Sequence, residues 1–234
     1  MNINQETHTQ HISQKFNEEL DNLRNQVLIM GGLVEKQVVN AVAALENNDT
    51  KLAEQVVIEE RTVDQLEIDI DEDCVMILAR RQPTAFDLRM VLAVIRTIHD
   101  LERIGDEANK IAKMALRLAE EGQSPRGYAE IRHITTNVRS MLASTLDAFA
   151  RYDSESAYTA IKADEQIDLD YRSALREMIT YMMEDPRSIS RVMNITWVLR
   201  SLERIGDHAK NICEHIVFLV DGEDIRHEDN LDEH

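Results

Sequence analysis

The sequence predicts an all-α protein of two tandem, pseudo-symmetric three-helix bundles, with six long helices in total. Glycine and proline number seven and three in 234 residues, too few for the frequent turns of a β-sandwich or barrel. Aromatic residues make up only 4% of the chain, whereas helix-favouring residues such as Ala, Leu and Glu are abundant. An internal duplication, described below, divides the helices into two matching sets of three.

The first three helices are delimited by Asp49, Pro83 and Gly122. Asp49 offers a side-chain oxygen that can cap the start of a helix. Pro83 interrupts a helix because it lacks a backbone N–H, and Gly122 favours a helix end. The helices predicted for this half are approximately 11–47, 49–80 and 84–120.

The last three helices are delimited in the same way by Asp153, Pro186 and Gly222, after a linker of sequence GQSPRG. Such long helices are stable only when they pack side by side. The helices predicted for this half are approximately 127–151, 153–184 and 187–221. The domains predicted are 11–121 and 127–222, with flexible tails at 1–10 and 223–234.

The two halves are copies of one unit. The hexapeptide Leu-Glu-Arg-Ile-Gly-Asp at 101–106 recurs unchanged at 202–207, an offset of 101 residues. Upstream, Asp49 matches Asp153 at an offset of 104. An identical hexapeptide in two matching contexts indicates a duplicated three-helix unit. Each copy could bury its own apolar seam, or the two copies could share one.

The net charge excludes some partners. With 44 acidic and 26 basic residues the formal charge is −18, so nucleic acid and anionic lipid surfaces should be repelled. We expect no direct membrane insertion, since no uninterrupted apolar run approaches the ~18 residues that cross a bilayer. The N-terminus resembles no secretory signal, and the distant Cys74 and Cys213 suit a reducing compartment. The cytoplasm is the expected location.

Acidic residues spaced four apart lie beside the apolar faces of four helices. At ~100° per residue, Asp164 and Asp168 fall within the apolar stripe of the fifth helix. Comparable pairs occur on the second, third and sixth helices, and on the sixth an amide residue extends the row. The candidate metal ligands are Glu60, Asp64, Glu102, Asp106, Asp164, Asp168, Glu203, Asp207 and Asn211.

This arrangement predicts a bound cation. An ionised carboxylate costs several kcal/mol to bury unless it is neutralised or paired. Gly105 and Gly206 lie between the acids of the repeated hexapeptide, where a missing side chain allows a neighbouring helix or a metal to approach. Hard oxygen ligands indicate divalent or trivalent ions such as Mg, Mn, Ca, Fe or Zn, without a cysteine-type zinc site. The alternative is that the acids are partly exposed and form salt bridges with Arg96, Arg103, Arg200 and Arg204.

The two copies differ in charge after the hexapeptide. Asn211 and Glu214 in the second copy correspond to Lys110 and Lys113 in the first. An ammonium beside Glu102 and its neighbour could replace a metal electrostatically. We therefore expect the second site to bind metal better.

Several stretches together resemble the PhoU family, whose members are accessory proteins of phosphate-specific transport. They are the two LERIGD hexapeptides, RQPTAFDLR at 81–89 and TYMMEDPRSI at 180–189. The resemblance implies two three-helix bundles, association as a homodimer, and metal clusters on the E/D-x-x-x-D pairs in some members. It also implies a negative regulator of the phosphate-starvation regulon that restrains phosphate uptake. Its partners would be the ATPase subunit of the phosphate ABC transporter and the phosphate-sensing histidine kinase, which recruit it to the inner face of the membrane.

Other conspicuous residues are expected to be structural. The two cysteines should be core residues, and His208 and His215 should point away from the acidic row. The Gly31-Gly32 pair should mark a kink or a close packing point. We expect Trp197 and the run 181–183 to be core, with contact to a partner as the alternative. Arg80, Arg81 and Arg89 form a basic cluster that should be solvated surface, with a partner site as the alternative.

Two other functions compete with the regulatory one. A carboxylate-bridged di-metal enzyme normally needs two Glu-x-x-His motifs, and this chain has one, Glu130 to His133, away from the acidic rows. A metal-storage or structural helical dimer is the second alternative. The phosphate-binding motif G-x-x-x-x-G-K-[ST] is absent, so the chain is not expected to be a P-loop ATPase. With the regulatory role preferred, no enzymatic activity is expected.

Overall fold

The computed structural model describes residues 3–124 and 126–226, with side chains described from residue 14 onward. These residues form six long α-helices and no strand, so the predicted all-α fold is confirmed. A 3-10 turn, Pro186–Ser188, joins the last two helices. The helices are α1 Ile3–Asn47, α2 Thr50–Arg81, α3 Ala85–Glu121, α4 Tyr128–Arg151, α5 Ser154–Glu184 and α6 Ile189–Asp221.

The helix ends are set by the residues that the sequence indicated. Asp49 accepts a hydrogen bond from the backbone N–H of Leu52, and its counterpart Asp153 accepts one from Ser156. The main difference is at the first helix, which begins at Ile3 rather than at residue 11, because no glycine or proline interrupts the intervening segment. Of the second predicted tail, residues 223–226 are not helical, and residues 227–234 lie outside the described chain.

The two copies of the hexapeptide lie on the central helices. α3 packs against α1, α2 and α6, while α6 packs against α4, α5 and α3. Buried side chains from all six helices join into one hydrophobic core. The two three-helix units therefore share a core along the seam between α3 and α6, which answers the question that the sequence left open.

Gly31 marks a packing point between the two units. A β-carbon at this position would collide with the Leu146 side chain of α4, whereas Gly32 has open space around it. The helix runs through both residues without interruption. Gly31 therefore allows close packing of α1 against α4, and Gly32 is not needed for it.

One helix is long and apolar enough to cross a membrane by length and composition. It is the Gln14–Asn47 part of α1, where the most apolar window has a mean hydropathy of 1.4. Half of that window is buried inside the bundle. Core helices of helical bundles meet the same criterion, because they are apolar in order to pack against other helices rather than against lipid.

Candidate metal centre

Three carboxylates of the second repeat converge between α5 and α6. Asp168 comes from α5, and Glu203 and Asp207 come from successive turns of α6. One carboxylate oxygen from each of the three lies within 4.8 Å of the others. Asp164, one turn before Asp168, is only 6% exposed. The structure thus brings together the four acids that the sequence predicted for this half.

A glycine allows the two helices to approach at this cluster. A β-carbon at Gly206 would lie 3.1 Å from Asp164 Oδ1 and 3.4 Å from the Ile167 side chain. A glycine inside a helix costs about 1 kcal/mol relative to alanine. Here the missing side chain allows α5 to lie close to the α6 backbone, as expected from the sequence.

Two buried carboxylate oxygens in this cluster have no hydrogen-bond partner among the described residues. They are Asp164 Oδ1 and Glu203 Oε2. The second oxygen of Glu203 accepts a hydrogen bond from Arg200 Nη1 at 2.6 Å, and Asp164 Oδ2 lies 3.9 Å from Lys210 Nζ. Buried carboxylates without partners must be protonated or neutralised by a cation. The salt bridges predicted as the alternative therefore neutralise these acids only in part, because one buried oxygen of Asp164 and one of Glu203 have no partner among the described residues.

The pKa values of these acids are raised, because the buried negative charge exceeds the positive charge close to it. Burial and the negative charge of Asp207 raise the pKa of Asp164 to about 6 and that of Glu203 to about 7. Burial and Asp168 also raise the pKa of Asp207. A cation bound among these oxygens would supply the missing positive charge, so the residues fit a metal of the hard-oxygen class. Arg172 Nη2, 3.6 Å from Asp168 Oδ2, lies on the exposed side of the cluster.

The first repeat has a looser acidic group. Glu102 and Asp106 lie 3.4 and 3.5 Å from the guanidinium of Arg103, the partner that the salt-bridge alternative named. Burial raises the pKa of Glu60, and so does the nearby Asp106. Asp64, by contrast, is exposed to solvent. The first repeat therefore presents fewer buried acids than the second.

Other polar groups partly compensate the first repeat. The buried amide of Asn109 donates a hydrogen bond to Glu60, and the Lys113 ammonium also lowers the pKa of that carboxyl. Lys110 is not the compensating cation expected beside Glu102. Its Nζ instead donates to Glu107 Oε1 at 2.9 Å, because one helical turn separates those two residues.

Asn211 is turned away from the acidic cluster. Its amide nitrogen donates a hydrogen bond of 3.0 Å to Asp100 Oδ1 on α3. The sequence placed Asn211 in the acidic row by helical spacing alone, which does not detect a partner on the opposite helix.

Asp100 is a polar residue that sequence reasoning missed. His208 Nδ1 donates to one of its oxygens and His215 Nε2 to the other, each at 2.9 Å. Burial alone would raise the pKa of Asp100, but the hydrogen bonds from the two histidines and Asn211 lower it well below the ordinary value. Asp100 is therefore an ionised carboxylate at the seam between the repeats. Both histidines point away from the acidic row, as predicted.

The cysteines are core residues, as predicted. Cys74 and Cys213 are fully buried and unpaired, and burial raises the pKa of each thiol to about 12.

Other structural expectations need correction. Trp197 is 57% exposed and Met183 is 78% exposed, because both lie on helix faces that no other described element covers. The three arginines do not act as one basic cluster. Arg81 forms two hydrogen bonds of 2.8 Å with Glu19, and Arg89 donates to the Leu219 carbonyl oxygen.

The fold and this cluster define a class of duplicated helical-bundle proteins with a carboxylate-rich site. The PhoU domain family matches residues 27–115 and 131–216, one match in each repeat. Together the two matches cover most of the chain. The chain therefore belongs to the PhoU family, as the resemblance implied.

Relatives are similar over nearly their whole length. The phosphate-specific transport system accessory protein PhoU homolog of Pseudomonas putida is 57% identical over 225 residues, which cover 96% of this chain and 88% of the relative. The phosphate-specific transport system accessory protein PhoU of Escherichia coli K12 is 44% identical over 217 residues, which cover 93% of this chain and 90% of the relative.

Solved structures share the fold. The crystal structure of PhoU from Pseudomonas aeruginosa matches with a TM-score of 0.87 at 56% identity, covering 89% of this chain and 100% of that chain. The phosphate transport system regulatory protein PhoU from Streptococcus pneumoniae matches with a TM-score of 0.83 at 32% identity, covering 89% and 98%.

Proposed function

We propose that this protein is a metal-binding helical adaptor that represses the phosphate-starvation regulon and restrains phosphate uptake when phosphate is plentiful. The observation that carries the proposal is the similarity of both repeats to accessory proteins of phosphate-specific transport. The relatives' names describe an accessory or regulatory role, and we propose no enzymatic activity for this chain. A single Glu-x-x-His motif gives no support to the di-metal enzyme.

Two protein partners follow from this role. The ATPase subunit of the phosphate ABC transporter would report transport, and the phosphate-sensing histidine kinase would receive the signal. A cytoplasmic protein that joins them at the inner face of the membrane needs no insertion of its own, which agrees with its acidic charge. Association as a homodimer is part of the same proposal.

The metal site of the adaptor would lie mainly in the second repeat. Asp164, Asp168, Glu203 and Asp207 would hold the cation, and the support is the pair of orphaned buried oxygens. A bound Mg, Mn, Fe or Zn ion would neutralise these acids and link α5 to α6. Asn211 is left out because its amide is bound to Asp100.

The first-repeat acids would bind metal more weakly. Arg103 lies beside Glu102 and Asp106, and Asn109 and Lys113 lower the pKa of Glu60, so part of the charge is already offset. Asp64 is exposed, and Glu102 Oε2 is the one oxygen of these four acids that is buried without a hydrogen-bond partner among the described residues.

Gene deletion tests the regulatory role. In phosphate-rich medium, loss of the gene should raise expression from a phosphate-starvation promoter, and a plasmid copy should restore repression. Unchanged expression in the deletion strain would contradict the proposal. A metal-storage role predicts instead a change in cellular metal content without a change in this promoter.

A further inference from the structure

The exposed tryptophan lies on a continuous stripe of α6. Ile189, Met193, Trp197, Arg200 and Arg204 are spaced so that all five fall within an arc of about 80°. We call these five residues the α6 stripe. Its three apolar members are 44%, 38% and 57% exposed, and the exposed Met183 at the end of α5 lies close to it in sequence. Exposed apolar residues grouped in this way mark interaction sites.

A cavity adjoins the C-terminal part of the α6 stripe. Its volume is about 470 Å³, and Trp197 and Met114 of α3 form its apolar wall. Lys110, Arg204 and Glu107 form its polar wall. A pocket beside an exposed tryptophan and arginines has the composition of an interaction hot spot, where a side chain of the partner is inserted.

The segment that carries most of the α6 stripe is locally basic in an acidic molecule. The segment 186–202 contains three arginines and no acidic residue, in a chain whose net charge is −18. At the cavity, the single carboxylate of Glu107 accepts from Lys110 at 2.9 Å and from Arg204 at 2.7 Å. Arg200, the third cation of the cavity wall, donates to Glu203 at 2.6 Å, so three cations face two carboxylates and a surplus of about one positive charge remains. The complement of this surface is therefore acidic and partly apolar.

We propose that the α6 stripe docks an amphipathic, acidic helix of a protein partner. An apolar side chain of that helix would enter the cavity between Trp197 and Met114, and its carboxylates would face Arg200 and Arg204. This inference rests on the proposed function, because it assigns a surface to the partner of the adaptor. It goes further by specifying the chemistry of the segment that binds.

Two other occupants fit the surface less well. An anionic membrane would meet the arginines and the tryptophan, but a flat lipid surface has no side chain to fill the cavity. A second copy that paired through its own α6 stripe would bring the arginines of the two copies together, so the proposed homodimer would use another face. The experiment below separates these occupants from the acidic helix.

Trp197 is the single tryptophan of the chain, so its fluorescence reports on the α6 stripe directly. The full-length protein is titrated with the purified ATPase subunit of the transporter, with the soluble cytoplasmic region of the kinase, and with phosphatidylglycerol vesicles. Pull-down of the same proteins records binding independently of fluorescence. We expect a saturable blue shift with the ATPase subunit or the kinase region, and none with vesicles or on concentrating the protein alone.

Substitutions locate the contact. Met193→Ser and Ile189→Ser, at two exposed apolar positions of the α6 stripe, should weaken binding at least tenfold while the circular dichroism spectrum is unchanged. Ile29→Ala, on α1 at a residue that is 59% exposed, is the matched control and should bind as the wild type does.

Three results would overturn the inference. Partner binding in the pull-down without any change in Trp197 emission would rule out the α6 stripe as the docking surface and leave the proposed function intact. A blue shift produced only by vesicles would show that the stripe binds lipid, and one produced only by self-association would show that it binds a second copy of the chain. Either result would contradict docking of an acidic helix. Absence of binding to both proteins, with normal promoter expression in the deletion strain, would remove the inference and the proposed function together.

Discussion

Asp164 Oδ1 lies directly against the α6 backbone at Gly206, where a β-carbon would come within 3.1 Å of it. The same oxygen is buried and has no hydrogen-bond partner among the described residues. The equivalent glycine of the first repeat, Gly105, faces the side-chain oxygen of Gln37 at 3.3 Å, a neutral group on a flexible side chain. The two copies of one hexapeptide thus face different chemistry.

Alanine substitution of these glycines should have unequal effects. Gly206→Ala should displace the Asp164 carboxylate and weaken Mn²⁺ binding about tenfold, since small shifts of ligand-supporting groups have effects of that size. Gly105→Ala is the matched control. Gln37 can move, so this variant should keep its Mn²⁺ affinity and gain up to ~1 kcal/mol of stability from helix propensity. Isothermal titration calorimetry measures the affinities, and equal loss in both variants would contradict this account.

The metal-free protein should become less stable as the pH rises toward neutrality. Asp164 and Glu203 have folded pKa values of about 6 and 7, against ordinary values of 3.8 and 4.5. The folded chain therefore holds these protons to higher pH than the unfolded chain does. The stability they contribute is complete below the ordinary values and is lost as the pH rises through about 6 and 7.

Urea unfolding in a chelator measures this effect. The free energy of unfolding should be on the order of 1–2 kcal/mol higher at about pH 5 than at about pH 7.5, after allowance for solvent screening. An Asp164→Asn, Glu203→Gln double variant should have a smaller difference, because it cannot ionise at these positions. Added Mn²⁺ should stabilise the wild type mainly at the higher pH. A stability that rises across this range in chelator would be inconsistent with the buried acids.

Asp100 should stabilise the seam between the repeats without serving the metal site. Asp100→Asn removes the charge that accepts hydrogen bonds from His208, Asn211 and His215, and should lower the free energy of unfolding by about 2–4 kcal/mol. Ser201→Ala, at the equivalent buried position of the other repeat, is the control and should cost about 1 kcal/mol or less. Mn²⁺ stoichiometry should be unchanged in both, and loss of metal from Asp100→Asn would refute the separation of the two sites.

The fold and the second acidic cluster were largely accessible from the sequence. Scarce helix breakers located the helices, and the repeated hexapeptide paired the two units. The helical spacing of Asp164 and Asp168 within an apolar stripe correctly placed these acids near Glu203 and Asp207. Local periodicity was sufficient here, because all four acids lie on the two helices that pack against each other through Gly206.

Contacts between the repeats were not accessible from the same reasoning. The position equivalent to Asp100 in the other repeat is a serine, so comparing the two repeats did not identify Asp100 as a polar residue of interest. His208 and His215 are seven residues apart and thus share a helix face, which could have suggested a common partner on another helix. The exposure of Trp197 was also detectable, because its spacing from Ile189 and Arg204 separates it from the buried face of α6. Val198 and Leu199 follow Trp197 directly and are buried, which favoured the wrong prediction that Trp197 is buried with them.

A metal ion should compensate the second-repeat carboxylates, two of whose buried oxygens have no hydrogen-bond partner among the described residues. Mn²⁺ titration of the wild type, Asp207→Ala and Asp106→Ala by isothermal titration calorimetry tests it most directly. The wild type should bind Mn²⁺, Asp207→Ala should lose at least tenfold in affinity or a full site, and Asp106→Ala should lose less. No binding to the wild type, or a greater loss from Asp106→Ala than from Asp207→Ala, would contradict it.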